Sequence, residues 1–168
     1  MVQTEADTCR KFVVPKLQTA GWDNAPHSIN EQRTFTDGRV LFIGGRARRG
    51  RQKRADFILR FGPDYPIAIV EAKAIYKSAA DGLQQAKDYA EILGLKFAYA
   101  TNGTEIIEFD YFTGVERQRV DYPTPEELWS RQRAGLGLVD DGVAGRLLEP
   151  GFRNPARPLR YYQEIAVN

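Results

Sequence analysis

The tightest constraint on the fold is a short apolar run, Ile67-Ala68-Ile69-Val70, that ends on Glu71-Ala72-Lys73. It is too short for a packed helix and rich in β-branched residues, so 67–72 reads as a strand at the centre of a sheet. The turn-forming segment GPDYP precedes it, and 55–61 before that reads as a second strand, which makes the two a hairpin. Residues 78–93 follow with Leu83, Ala86, Ala90 and Leu93 at helical spacing and a stop at Gly94. That helix should pack on the sheet, and 97–100 and 105–109 then form strands around the turn 101–104. The expected class is α/β, a mixed central β-sheet flanked by helices.

The rest of the chain adds to this frame. Phe12, Val13, Leu17 and Ala20 recur at helical spacing over 4–20, with Thr4 as N-cap and Asp7 three residues later. Pro15 should kink this helix or split it near Val14, and Gly21 should end it. Residues 29–35 and 40–43 read as strands, and 44–50 as a basic loop. Toward the C-terminus, PTPEELWSRQR resembles a short capped helix, whereas 134–160 is rich in Gly, Pro and charge and reads as a linker. A single folded domain of residues 1–133 followed by a connecting segment, 134–168, is therefore expected.

The net charge is only +2, so the distribution of charge matters more than its sum. Arg46, Arg48, Arg49, Arg51, Lys53 and Arg54 place six cations among nine residues with no acid. Such a run can bind phosphates without reading bases, as double-stranded DNA would require. The lone Cys9 and the lone His27 exclude an intrachain disulfide and a His/Cys zinc site, as suits a reducing compartment. No apolar run approaches the ~20 residues needed to cross a bilayer, and the first residues lack a signal-peptide core. A soluble cytoplasmic protein with no membrane partner is the expectation.

The chemistry-bearing residues are Asp56 on the first hairpin strand and Glu71 and Lys73 at the end of the second. Strand side chains alternate, so Glu71 and Lys73 share a face while Val70 and Ala72 occupy the other, and hairpin pairing brings Asp56 alongside. Two neighbouring carboxylates repel unless a divalent cation lies between them, and oxygen ligands of this kind suit Mg²⁺, with Mn²⁺ as a substitute. Asp56, Glu71 and the Ala72 carbonyl are the candidate ligands, with Lys73 assisting the nucleophile. On the following helix Gln85 and Tyr89 are four residues apart and share one face.

Taken together, Ala55-Asp56, Glu71-Ala72-Lys73 and the QxxxY element Gln85 to Tyr89 resemble the PD-(D/E)xK nuclease superfamily, and in particular the nuclease domain of type I restriction motor subunits. TEADTCRKFVVPKLQTAGW, ADFILRFGPDYPIAIVEAKA and TNGTEIIEFD extend the resemblance over most of the chain. Alanine stands at position 55 where the superfamily name has proline. The resemblance implies a restriction-endonuclease-like core, a Mg²⁺-dependent endonuclease without intrinsic sequence specificity, and supporting roles for Gln85, Tyr89 and the first-helix acid Glu5. It implies double-stranded DNA as substrate, and methyltransferase and specificity subunits of a restriction-modification complex as partners. LRYYQEIAVN resembles the adenine-sensing motif that opens helicase-like motors, with Gln163 as its glutamine and ATP as the nucleotide of a longer chain. No phosphate-binding loop follows, so the chain is expected to be a piece of a longer protein. The rival expectation is a non-catalytic DNA-binding or docking module of an ATP-dependent motor. Intact Asp56, Glu71 and Lys73 argue against that rival, because a pure binder gains little from paired acids near phosphate.

Overall fold

The computed structural model describes residues 4–35, 40–43, 46–49 and 52–149. It opens on a helix in three pieces: α1 (Glu5–Thr8), a π-helical turn (Cys9–Val13) and α2 (Val14–Thr19). Thr4 caps it through a reciprocal pair, Asp7 N–H donating to Thr4 Oγ1 at 3.2 Å and Thr4 N–H to Asp7 Oδ2 at 3.0 Å. Pro15 has no N–H to donate one turn back. The backbone widens just before it, with the Val14 N–H reaching Cys9 O, so the helix continues through the proline instead of breaking. Gly21, at φ +94°, ends the element.

The strands are β1 (Ser28–Phe35), β2 (Val40–Ile43), β3 (Arg46–Arg49), β4 (Lys53–Gly62) and β5 (Tyr65–Ala72). Helix α3 (Ala80–Leu93) leads to β6 (Phe97–Thr101), β7 (Ile106–Asp110) and β8 (Val115–Arg119). Helices α4 (Pro125–Leu136) and α5 (Asp141–Arg146) complete the described elements. Six strands form one sheet in the order β1-β4-β5-β6-β7-β8, and β2 pairs with β3 alone. Only the β5–β6 pair of the large sheet is parallel, because α3 carries the chain back between them, whereas short turns join β4 to β5, β6 to β7 and β7 to β8.

Alternation along β5 sorts the core into two layers. Ile69 joins Ile58, Ala98 and the α3 residues Ala86, Ala90 and Leu93 on one side. Ala68, Val70 and Ala72 join Phe57, Leu59 and Tyr99 with Val13 and Leu17 of the first helix and Leu128 of α4 on the other. Each large aliphatic buried in this way contributes roughly 1.5–3 kcal/mol. Glu71 therefore emerges on the α3 side of the sheet, in phase with Ile69.

One expectation needs correction, and two further features had no counterpart in it. Residues 44–50 do not form one basic loop: Arg46–Arg49 is strand β3, antiparallel to Val40–Ile43, whose backbone groups need a ladder partner that the adjacent segment supplies. Strand β8 has no hydrophobic alternation to announce it, since four of its five residues are exposed on the sheet edge. Helix α4 runs across positions 133 and 134, and Leu147 and Leu148 pack against the core. Among the described residues no helix is long and apolar enough to cross a membrane.

Candidate active site

The site lies where the β4–β5 ladder stops. Backbone pairing ends at Phe57 and Val70, one step short of the position where Asp56 and Glu71 would face each other. Side chains take over the missing bonds: the Asp56 N–H donates to Glu71 Oε1 at 3.3 Å, and the Ala72 N–H donates to Asp56 Oδ2 at 2.8 Å. On the other edge of β4 the ladder to β1 also skips Asp56, pairing Glu31 with Phe57 and Arg33 with Ala55. The skipped β1 residue, Gln32, has φ 48°, a backbone region that costs a non-glycine residue roughly 1–3 kcal/mol. Strand β4 is thus released from both neighbours at the one residue whose carboxylate the site uses.

Glu71 is 1% exposed. Its Oε2 accepts from Gln85 Nε2 at 2.8 Å, while Gln85 Oε1 accepts from Lys73 Nζ at 3.0 Å. One amide from α3 therefore ties the acid to the lysine. The same Nε2 lies 3.3 Å from the Tyr89 hydroxyl, one helical turn further on. Tyr89 is held in turn by an edge-on contact with Phe35 and by Lys53, whose Nζ sits 5.6 Å from the ring centre. Helical spacing and strand alternation thus converge on one cluster of Asp56, Glu71, Lys73, Gln85 and Tyr89.

Electrostatics in this cluster are unbalanced. Burial, then the neighbouring Asp56 charge, pushes the Glu71 carboxyl up to about 8. Burial likewise raises Asp56, against the opposing pull of the Ala72 N–H and of Lys73. The Tyr89 hydroxyl is raised by burial and by Glu71. Beside Asp56 opens a cavity of about 580 Å³ whose walls include Glu5, Cys9, Arg10, Glu31 and Arg54. Burial and the surrounding acids push the Cys9 thiol up to about 12, so it offers no thiolate nucleophile near neutrality.

The structure places Glu5 in the lining of the same cavity as Asp56. Arg54 shares that cavity and Lys53 reaches toward Tyr89, whereas Arg46, Arg48 and Arg49 lie on β3. Arg51 and Gln163 lie outside the described residues. His27 is a half-buried residue away from this cluster: its ring bonds Phe61 O and tilts against the Phe61 ring at 4.8 Å. Arg10, Glu31 and Gln32 had no signal in the sequence, since nothing local distinguishes a cavity wall or an irregular strand position from an ordinary exposed polar residue.

A mixed sheet covered by helices on both faces, with its acids at a splayed strand pair, is a restriction-endonuclease-like α/β fold. No family model matches the chain. It is 38% identical to the endonuclease subunit of the type I restriction enzyme EcoAI of Escherichia coli, over 98% of this chain and 21% of that subunit. A fragment of an HsdR subunit of a type I restriction enzyme from Vibrio vulnificus superposes with a TM-score of 0.85 at 54% identity, over 99% of this chain and 31% of that one. The chain is therefore homologous, along its whole length, to type I restriction enzyme endonuclease (HsdR) subunits. It spans about a fifth of the curated relative and about a third of the solved chain.

Proposed function

We propose that this chain is a Mg²⁺-dependent endodeoxyribonuclease of the PD-(D/E)xK type, hydrolysing DNA phosphodiesters without sequence specificity of its own. The observation that carries the reading is the pair of half-buried Asp56 and buried Glu71, set together at a ladder gap and coupled to Lys73 through Gln85. Two acids and one ammonium leave a negative remainder in a desolvated place, which is the condition a divalent cation relieves. The donor set is oxygen only, as Mg²⁺ and Mn²⁺ prefer. Among the described residues no cluster of three or more His, Cys, Asp or Glu side chains surrounds one point. A cation held by Asp56 and Glu71, with the Ala72 carbonyl as a further ligand, would keep much of its water, as Mg²⁺ usually does.

Such a cation supplies Lewis-acid polarisation of the phosphate. The chain's own groups do the rest. Lys73, fixed by Gln85, holds its ammonium where it orients the attacking water and meets the negative charge that develops on phosphoryl oxygens. Gln85 keeps Glu71 and Lys73 in register, and Glu5 lines the cavity beside Asp56 into which the substrate would enter. Arg54 and Lys53 give sequence-independent affinity for the DNA backbone, with the arginines of β3 extending it. Base reading falls to a separate specificity subunit, and together with a methyltransferase subunit and an ATP-driven motor it completes a cytoplasmic restriction-modification complex.

Plasmid nicking in Mn²⁺ and calorimetric Mn²⁺ titration test this. Asp56→Ala, Glu71→Ala and Lys73→Ala should each lower nicking by ~10²-fold or more with the fold retained. The first two should also lose the Mn²⁺ binding heat, and Lys73→Ala should keep it. Undiminished cleavage by Glu71→Ala would sink the assignment.

A further inference from the structure

Gly82 stands in the first turn of α3, buried, where the helix passes over the end of β5. A Cβ at this position would lie 3.2 Å from Lys73 Cε and 3.3 Å from Lys73 Cγ, with the Ala100 Cβ at 3.6 Å beneath. The aliphatic stem of Lys73 thus runs through the space that any other residue at 82 would fill. Its two ends are fixed independently: the Lys73 N–H donates to Thr101 O at 2.7 Å, and its Nζ donates to Gln85 Oε1 at 3.0 Å. Nothing in the helix itself calls for glycine. The residue has no positive φ, its N–H donates to Ala79 O at 3.1 Å, and alanine is the better helix former.

We infer that Gly82 is a positioning residue for Lys73: its missing side chain is the channel through which the lysine stem crosses α3 to reach Gln85 and the carboxylates. The inference concerns where Lys73 sits and rests on the proposed nuclease reading only for its consequence in cleavage. Gly82→Ala forces the stem aside by a few tenths of an ångström and pulls Nζ from its place beside Gln85. Misplacements of this order in a catalytic group lower rates steeply.

The test separates position from stability. In the 168-residue chain with ¹³C-labelled lysine, the Lys73 Cε resonance, assigned through Lys73→Arg, should move in Gly82→Ala. It should stay in place in Gly145→Ala, a helical glycine with no neighbour within 4 Å of its virtual Cβ. The Tm of Gly82→Ala should hold or rise, as helix propensity dictates, while Mn²⁺-dependent nicking falls about tenfold at unchanged Mn²⁺ affinity. An unmoved Lys73 resonance overturns the inference whether or not the chain cuts DNA. Wild-type nicking by Gly82→Ala overturns it as well. A chain that does not nick at all counts against the nuclease reading, and the resonance still decides the role of Gly82.

Discussion

Two glutamates in this sheet are buried to the same degree and arrive at opposite electrostatic states. Glu71, 1% exposed, sits beside a second acid, Asp56, with one lysine shared through Gln85. Glu108, 0% exposed, sits beside Asp110 but accepts both guanidinium nitrogens of Arg131 at 3.0 and 2.7 Å, a bond from Arg119 at 3.3 Å and the Tyr99 hydroxyl at 2.7 Å. Desolvation pushes both carboxyls up. At Glu108 the arginine and tyrosine bonds outweigh it and the carboxyl ends below its usual value, whereas at Glu71 the neighbouring acid adds to it. The Glu108 cluster sums to neutrality within the protein and ties α4 to β7. The Glu71 cluster has one cation for two acids, so a proton or a cation from outside must neutralise the second carboxyl, and this separates a structural network from a site.

The largest effect that probes this contrast is on folding. Arg131→Met strips Glu108 and Asp110 of their shared guanidinium and leaves acids buried with half of their cations. Breaking such a pair typically costs about 3–5 kcal/mol. Equilibrium denaturation should show a loss of that size, with Mn²⁺ binding intact in the folded protein. A loss below about 1 kcal/mol would mean that the network is incidental and that the two clusters do not differ in kind.

At the site the sign reverses. Glu71→Gln removes the buried charge while keeping a group that can accept from the Asp56 N–H, so the metal-free protein should gain about 1–3 kcal/mol at pH 8. The pH dependence follows from the same shift. The Glu71 carboxyl titrates near 8 in the folded chain and near 4.5 when unfolded. Its favourable contribution is therefore complete below about pH 4.5 and lost as pH rises toward 8. Saturating Mn²⁺ binds the deprotonated form and should reverse the slope over that window. Thermal melts at pH 5.5 and 8.5, with and without Mn²⁺, measure both effects. Parallel profiles in the two conditions would show that Glu71 does not ligate the ion.

Much of this arrangement was legible in the sequence because it rests on two periodicities. Alternation placed Glu71 and Lys73 on one face of β5, and the spacing of four placed Gln85 and Tyr89 on one face of α3. The features that escaped are those set by tertiary contacts. The ladder gap at Asp56 depends on Gln32, a β1 residue with no local mark of its irregular backbone. Glu108 and Arg131 are far apart in sequence and look like ordinary surface charges until β7 and α4 pack. Strand β8 and the passage of α4 across position 134 were hidden because both are polar and amphipathic signals there are weak. The π-helical turn before Pro15 was foreseen only as a kink or a split near Val14, since sequence marks the missing N–H but not how the backbone absorbs it.

The smallest expected effects fall on the bridge between acid and lysine. Gln85→Ala removes the amide that accepts from Lys73 Nζ and donates to Glu71 Oε2, yet it touches neither Asp56 nor the bonds between the two strands. Cleavage should fall roughly tenfold, as for loss of an orienting hydrogen bond of about 1.4 kcal/mol, while Mn²⁺ affinity changes little. Tyr89→Phe deletes only a hydroxyl that accepts one long bond, at 3.3 Å, and keeps the ring contact with Phe35 at 5.0 Å. Its effect should be smaller still, about twofold. The order of the two variants is informative, because it follows from Gln85 bridging two charged groups and Tyr89 merely steadying the bridge. Calorimetric titration beside the nicking assay settles it: a folded Gln85→Ala protein that no longer binds Mn²⁺ would place the glutamine among the ligands, and α3 would then belong to the metal site instead of to its support.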